Sequence, residues 1–254
     1  MLRIMKLHVL IAAAMTTAMV AGCASLAPME APSVAPEASA WATSSIGAAP
    51  TGTGWKHHTL PGKQPTHFAY ARQDGRDTLA ASAESSASML RRKLRIAPAE
   101  LGSVRFSWKV PELIAQADMA TRDADDSPVR VILAFEGDRG RFSAKNAMLS
   151  ELTQVLTGEE LPYATLMYVW CNKREPGTLI TNPRTDRVRT IVVESGPKKL
   201  GQWLDYERNI RADFERAFGE APGAMVGIAI MTDSDNTRST TRAWYGPVSL
   251  APRR

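Results

Sequence analysis

Along most of the chain hydrophobic residues fall at every second position. In VRFSWKV, Val104, Phe106, Trp108 and Val110 alternate with Arg105, Ser107 and Lys109, the period of a strand with one buried and one wetted face. The stretches 129–137 (VRVILAFEG), 165–170 (TLMYVW), 188–196 (VRTIVVESG) and 225–233 (MVGIAIMTD) are apolar on both faces, as central strands between two layers are. HFAYARQ, TLAASA and TTRAWYGPVSL add further strands, and in SMLRRKLRI the alternation puts Leu90, Leu94 and Ile96 on one side. The pattern predicts a mainly β chain folded as an antiparallel two-layer β-sandwich.

Two segments have a helical period instead. SAKNAMLSELTQVLTG sets Met148, Leu152, Val155 and Leu156 on one stripe, with Ser143 placed to cap its start and Gly158 its end. LDYERNIRADFERAFGEAP does the same through Ile210, Phe214 and Phe218, with Glu207–Arg211 and Arg211–Glu215 pairs on its wet side and Gly219 and Pro222 ending it. Both stripes are expected to face the core, so about two peripheral helices accompany the sandwich.

The first residues, MLRIMKLHVLIAAAMTTAMVAGC, place Arg3 and Lys6 before an apolar run from about Leu7 to Val20. The run is shorter than the ~20 residues of a membrane-spanning helix and ends in small residues, which reads as a secretory signal over residues 1–22. Val20-Ala21-Gly22-Cys23 resembles the bacterial lipobox, and the resemblance implies acylation of Cys23. Ala24 and Ser25 are not the aspartate that retains such lipoproteins at the inner membrane, so the expected address is the periplasmic face of the outer membrane. Residues 23–54 are rich in Ala, Pro, Ser, Thr and Gly and read as a tether without a core of its own; residues 55–254 hold the sandwich domain.

Composition adds limits. The formal charge is +5, and removing Arg3 and Lys6 with the signal leaves +3, too little and too dispersed for nucleic acid. The runs LRRKLR and APRR read as solvated surface. With Cys23 acylated, Cys171 in MYVWC has no partner and reads as a small buried hydrophobe.

RFSWKV, ADMATRDADDSPVRVILAF, LPYATLMYVW, VRTIVVESG, LGQWLDYERNIRADFERAFGEAP and IAIMTDSDNT followed by AWYGPVSL together resemble, in order from about Trp55 to Leu250, the bacterial family catalogued as domain of unknown function 3047. The resemblance implies an exported domain with no established activity. The Y-G-x-V-x-L ending after an Asp-rich turn is similar to the jelly-roll sandwiches of carbohydrate-binding modules, an analogy of fold.

Candidate chemistry is narrowed by elimination. No His-Glu-x-x-His, cysteine cluster, nucleophile elbow, dinucleotide fingerprint or phosphate loop is present, so nucleotides are not expected as partners; His57-His58 reads as surface near the tether. Carboxylates remain. Asp118, Asp123, Asp125 and Asp126 crowd the loop before Val129, and Asp233, Asp235 and Asn236 follow the strand that begins at Met225. If those two strands are antiparallel neighbours, Asp118, Asp126, Asp233, Asp235 and Asn236 line one site, with Asp233 and Asp235 placed to bind Ca²⁺. Trp244 and Tyr245 would offer an aromatic face to a sugar, while Trp170 reads as core. The bland alternative is that Asp and Asn only make the turn. Glu194, Glu136, Asp126 and Asp233 are the carboxylates open to a glycosidase pair.

Three readings follow: a non-catalytic, membrane-anchored periplasmic domain that binds a glycan or another envelope component; a carboxylate-based enzyme acting on an envelope glycan; or an envelope scaffold that binds a protein.

Overall fold

A computed structural model describes residues 54–253. The signal, Cys23 and almost all of the tether lie outside the described residues. The remainder is a two-layer, mainly β sandwich. Its strands are β1 (Lys56–Thr59), β2 (His67–Gln73), β3 (Arg76–Glu84), β4 (Ala87–Ile96), β5 (Leu101–Lys109), β6 (Ser127–Phe135), β7 (Ala164–Cys171), β8 (Leu179–Thr181), β9 (Val188–Ser195), β10 (Trp203–Asn209), β11 (Met225–Asp233), β12 (Thr240–Tyr245) and β13 (Ser249–Pro252). One sheet has the order β1-β4-β11-β6-β7-β9-β8, the other β10-β5-β12-β3-β2 with β13 on β5. All pairings are antiparallel except β7 with β9, where a parallel pair enters the larger sheet because β8 folds back onto the far side of β9.

The core lies between the sheets and follows the alternation. Val104, Phe106, Trp108 and Val110 are buried from the smaller sheet, and Val131, Leu133, Leu166 and Tyr168 meet them from the larger. Phe106 stacks on Tyr168 at 5.6 Å across the layers and on Tyr206 at 5.3 Å within its own sheet. Leu90, Leu94 and Ile96 pack on the same core, as their spacing predicts. Cys171 is buried and free, and Trp170 is fully buried with its Nε1–H donating to Gly196 O at 3.0 Å.

Helix α1 (Ala144–Thr157) is capped by Ser143, whose Oγ accepts from Asn146 N, and stops at left-handed Gly158. Its orientation differs from the expectation. Met148, Leu152, Val155 and Leu156 are exposed, while Asn146 and Ser150 are buried. The reason is that the polar side finds partners: Asn146 Nδ2 donates to Asp186 at 2.6 Å, Thr185 Oγ1 to Asn146 Oδ1 at 2.8 Å, and an Arg139 guanidinium nitrogen to Ser150 Oγ at 2.8 Å.

Helix α2 (Ile210–Phe218) is shorter than the periodicity suggests. Residues from Trp203 to Asn209 form β10, and Asn209 caps the helix by accepting from Ala212 N at 2.9 Å. Arg211 and Glu215 pair at 3.0 Å, but Glu207 sits on the strand and pairs with Arg105 at 3.1 Å. Phe214 packs edge-tilted on Phe135 at 4.7 Å and on Phe218 at 4.5 Å, closing one end of the core.

Candidate functional site

Strands β6 and β11 are antiparallel neighbours, with Ser127 opposite Asp233. The loop before β6 therefore meets the turn after β11. Asp126, fully buried, reaches into that turn: its carboxylate accepts from Asn236 N at 3.1 Å, from Thr237 N at 2.7 Å and from Thr237 Oγ1 at 2.6 Å. A neighbouring buried pair sits beneath it. Arg130 Nε and Nη2 donate to the two Asp233 oxygens, each at 3.0 Å, and Nη2 also reaches Asp125 at 3.1 Å. Ser127 N donates to Asp233 Oδ1 at 3.0 Å. Burial pushes the Asp233 carboxyl up to about 7, against the pull of Arg130; the two aspartates hold the Arg130 guanidinium above its ordinary value despite its burial.

One oxygen from each of Asp126, Asp233 and Asp235 lies within 4.8 Å of the others, a span that a cation with ligands at about 2.3–2.6 Å can bridge. The same carboxylates already carry protein donors, Asp235 that of Lys63. A cation would have to displace Lys63 and share Asp233 with Arg130. Asp118 turns elsewhere: it pairs with Arg174 at 2.5 Å and Lys173 at 3.4 Å, and the Arg174 hydrogen bond holds its carboxyl down at about 2. What these residues do physically is fasten the 235–238 turn, whose Arg238 has a left-handed φ of 53°, to the end of the adjacent strand.

Trp244 and Tyr245, adjacent in sequence, point to opposite faces of β12. Tyr245 belongs to the core; its hydroxyl donates to Met231 O at 2.6 Å and is bonded to Thr232 Oγ1 at 2.9 Å. Trp244 is half-buried on the outer face of the smaller sheet. There the register aligns it with Lys109, and Lys109 in turn with Trp203. The three form one cross-strand row over β12, β5 and β10, continued by Ala80 and Ala69.

The row is wired by charge. Lys109 Nζ lies 6.0 Å from the centre of the Trp244 ring and donates to Asp74 at 2.6 Å. Trp203 Nε1–H donates to the same carboxylate at 3.0 Å, and the Arg76 guanidinium covers the Trp203 ring at 5.1 Å. Hydrogen bonding from Lys109 is the main cause that holds the Asp74 carboxyl below its usual range. Beside the row a depression of about 680 Å³ is lined by Arg76, Arg105, Ser107, Asp205, Glu207 and Pro247 among others. Gly246 lets the backbone pass close to Ser107, to whose carbonyl its N–H donates at 3.0 Å; a Cβ there would stand 2.1 Å from Ser107 Oγ.

Trp203 is the residue the helical reading hid. In GQWLDYERN, Trp203, Asp205 and Glu207 alternate with Leu204, Tyr206 and Arg208, and that period-two signal marks the strand. The remaining carboxylates are committed individually. Burial pushes Glu194 up, but hydrogen bonds from Lys199 at 2.7 Å, Ser195 N and Tyr206 at 3.1 Å outweigh it and hold it low. Glu136 is paired with Arg95. His57 bonds Ser88 Oγ at 2.7 Å on edge strand β1.

The model of the family described as "Protein of unknown function (DUF3047)" matches residues 53–249. No curated protein matches in sequence. Solved structures with some likeness include a family 11 carbohydrate-binding module from Clostridium thermocellum in complex with a β-1,3-1,4-mixed-linked tetrasaccharide (8% identity, 78% of this chain and 89% of that one, TM-score 0.38). Others are the xyloglucanase domain of NopAA from Sinorhizobium fredii (8%, 78% and 93%, 0.41) and the endo-1,4-β-glucanase CelB2 (8%, 79% and 97%, 0.42). At TM-scores below 0.5 these neighbours assign neither a ligand nor a reaction to this chain.

Proposed function

The chain belongs to the family Protein of unknown function (DUF3047), and from its geometry we propose that it binds an extended glycan, without hydrolysing it, on the outer face of the smaller sheet. The observation that carries this reading is the Trp203–Lys109–Trp244 row. The two tryptophans stand two strand spacings apart, about 10 Å, a separation at which each indole can take the apolar face of a different sugar ring. Lys109, Arg76, Asp74 and Asp205 surround them with donors and acceptors for hydroxyl groups, the composition of a site where a few polar groups orient a ligand on an aromatic platform. Binding is favoured over hydrolysis because the carboxylates beside the row are committed to partners: Asp74 is ion-paired with Lys109, Asp205 with Arg76 at 3.1 Å and Glu207 with Arg105, while Asp77 accepts a hydrogen bond from the Tyr70 hydroxyl at 2.8 Å. A general acid needs a raised pKa.

The test is titration calorimetry of the protein with soluble β-glucans and peptidoglycan fragments, repeated on Trp203→Ala with Trp244→Ala. Binding by the wild type that the double variant loses at unchanged melting temperature is expected; no binding to any of them, or binding the variant keeps, defeats the proposal.

From the sequence alone we further infer that Cys23 is lipid-modified and holds the domain at the envelope membrane, on the periplasmic side. Replacing Cys23 with Ser should move the protein from the membrane to the soluble fraction of disrupted cells, and an unchanged distribution together with an unmodified wild-type mass counts against the anchor.

A further inference from the structure

Strands β1, β4 and β11 lie side by side in the larger sheet, and their register sets His58 opposite Met89 and Met89 opposite Met231. Residues directly opposed across a ladder share one face of a sheet. Here that face is the outer one, because the alternate residues Leu90 and Ile230 enter the core between the layers. Met89 and Met231 pack instead in a separate cluster with Leu60, Ala87, Ile132, Ala229 and Met167. One imidazole and two thioethers therefore stand in a line over three strands. The Cβ atoms of His58 and Met231 lie about 5 Å to either side of that of Met89, a span that side chains of this length can close over the middle strand.

We propose that His58, Met89 and Met231 form a binding site for a soft monovalent metal ion, Cu(I). The donors select the ion. Thioether sulfur is a soft ligand that prefers Cu(I), imidazole also suits copper, and the row has none of the carboxylate oxygens that Ca²⁺, Mg²⁺ or Mn²⁺ require. All three donors are neutral, which suits an ion of single charge better than a divalent one. The nearest cations are balanced: Arg91, two residues along β4 from Met89, is held by Glu159 at 2.7 and 3.1 Å, and Arg130, opposite Met231 on β6, by Asp233 and Asp125. Met167, the third methionine of the cluster, turns to Arg130, with a guanidinium nitrogen 3.9 Å from its sulfur.

A metal takes imidazole only in its neutral form. His58 is half-buried, and burial, then the positive charge of Arg91, lowers its pKa from the ordinary value. The ring is thus ready to bind at neutral pH. Around the row the apolar side chains of Leu60, Ala87, Ile132 and Ala229 limit access of water, and such a shell is part of what tunes a metal site. Packing alone would be served as well by leucine at positions 89 and 231, so exchange of methionine for leucine separates the two roles.

The experiment titrates the full chain carrying Cys23→Ser with Cu(I), kept reduced by ascorbate, in competition with bicinchoninate. One equivalent is expected beyond what the triple variant His58→Gln, Met89→Leu, Met231→Leu retains, the remainder of the chain being common to both. Each single substitution should weaken it by at least the roughly 10–100-fold that loss of even an outer partner costs a metal site. Circular dichroism and melting temperature of the metal-free protein should not change. Met167→Leu, in the cluster but outside the row, and Cys171→Ala should bind as the parent does, and Zn(II) should not compete. X-ray absorption of the loaded protein should show sulfur neighbours that Met89→Leu with Met231→Leu removes. Equal binding by the parent and the triple variant overturns the proposal, as does an equivalent that vanishes with Cys171→Ala. Displacement of Cu(I) by Zn(II) at equal concentration overturns the choice of ion.

Discussion

Replacing Asp126 with Ala tests the claim that one buried carboxylate fastens the 235–238 turn to the sandwich. Asp126 is 0% exposed and accepts three hydrogen bonds, all from Asn236 and Thr237. A hydrogen bond to a charged group contributes about 1.5–3 kcal/mol net. The donors are only half-buried, so water reaches them once the carboxylate is gone, and the lower end of that range applies to each bond. The expected loss is then about 4 kcal/mol, equivalent to a fall in melting temperature of roughly 8–16 °C for a domain of this size. Urea titration followed by tryptophan fluorescence measures it, and the midpoint should move without a change of slope. Asp126→Asn, which keeps an acceptor but not the charge, should lose about half as much. A loss below about 1 kcal/mol for Asp126→Ala would show that the turn holds itself and that the contact is incidental.

Trp108→Ala removes a fully buried side chain from the centre of the core and should cost about 3–5 kcal/mol in the same titration; a cost near that of an exposed residue would mean the two faces of β5 are reversed. Stability should also depend on pH in two directions. Asp233 binds its proton more tightly folded than unfolded, so its contribution is present in acid and fades as pH rises through about 7, whereas Asp118 and Glu159, both held down at about 2, contribute above the usual carboxylate range and lose that contribution as pH falls. The melting temperature should therefore peak in mild acid, and Asp233→Asn should flatten the alkaline side alone; a curve whose alkaline side is unchanged by that variant refutes the assignment.

How far the sequence could be read depended on the range of the interactions involved. The alternation in VRFSWKV places Trp108 and Phe106 without any partner strand in view, because burial of one face is a property of the strand itself. The meeting of Asp126 with Asn236 needed one assumption, that β6 and β11 are neighbours. The direction in which α1 faces was out of reach: it is decided by Asp186, Thr185 and Arg139, which come from elsewhere in the chain and outweigh its apolar stripe. The Trp203–Lys109–Trp244 row was hidden for a related reason. It exists only in the register of three strands, and Leu204, Glu207 and Arg211 happen to be spaced as a helix would space them.

The two sheets share a feature of connectivity. Strand β11 lies between β4 and β6, and β12, the next strand in the chain, lies between β3 and β5. Each sheet is thus completed in its interior by a segment from the last eighth of the polypeptide, residues 225–245. A growing chain that has reached residue 220 carries two half-sheets in each layer, with open edges and no strand to join them. Its apolar faces favour collapse, but its open edges stay unpaired, and a partner able to pair with them can hold it until strands β11 and β12 arrive. Truncation just before Met225 should for the same reason remove the fold as a whole and not merely trim it.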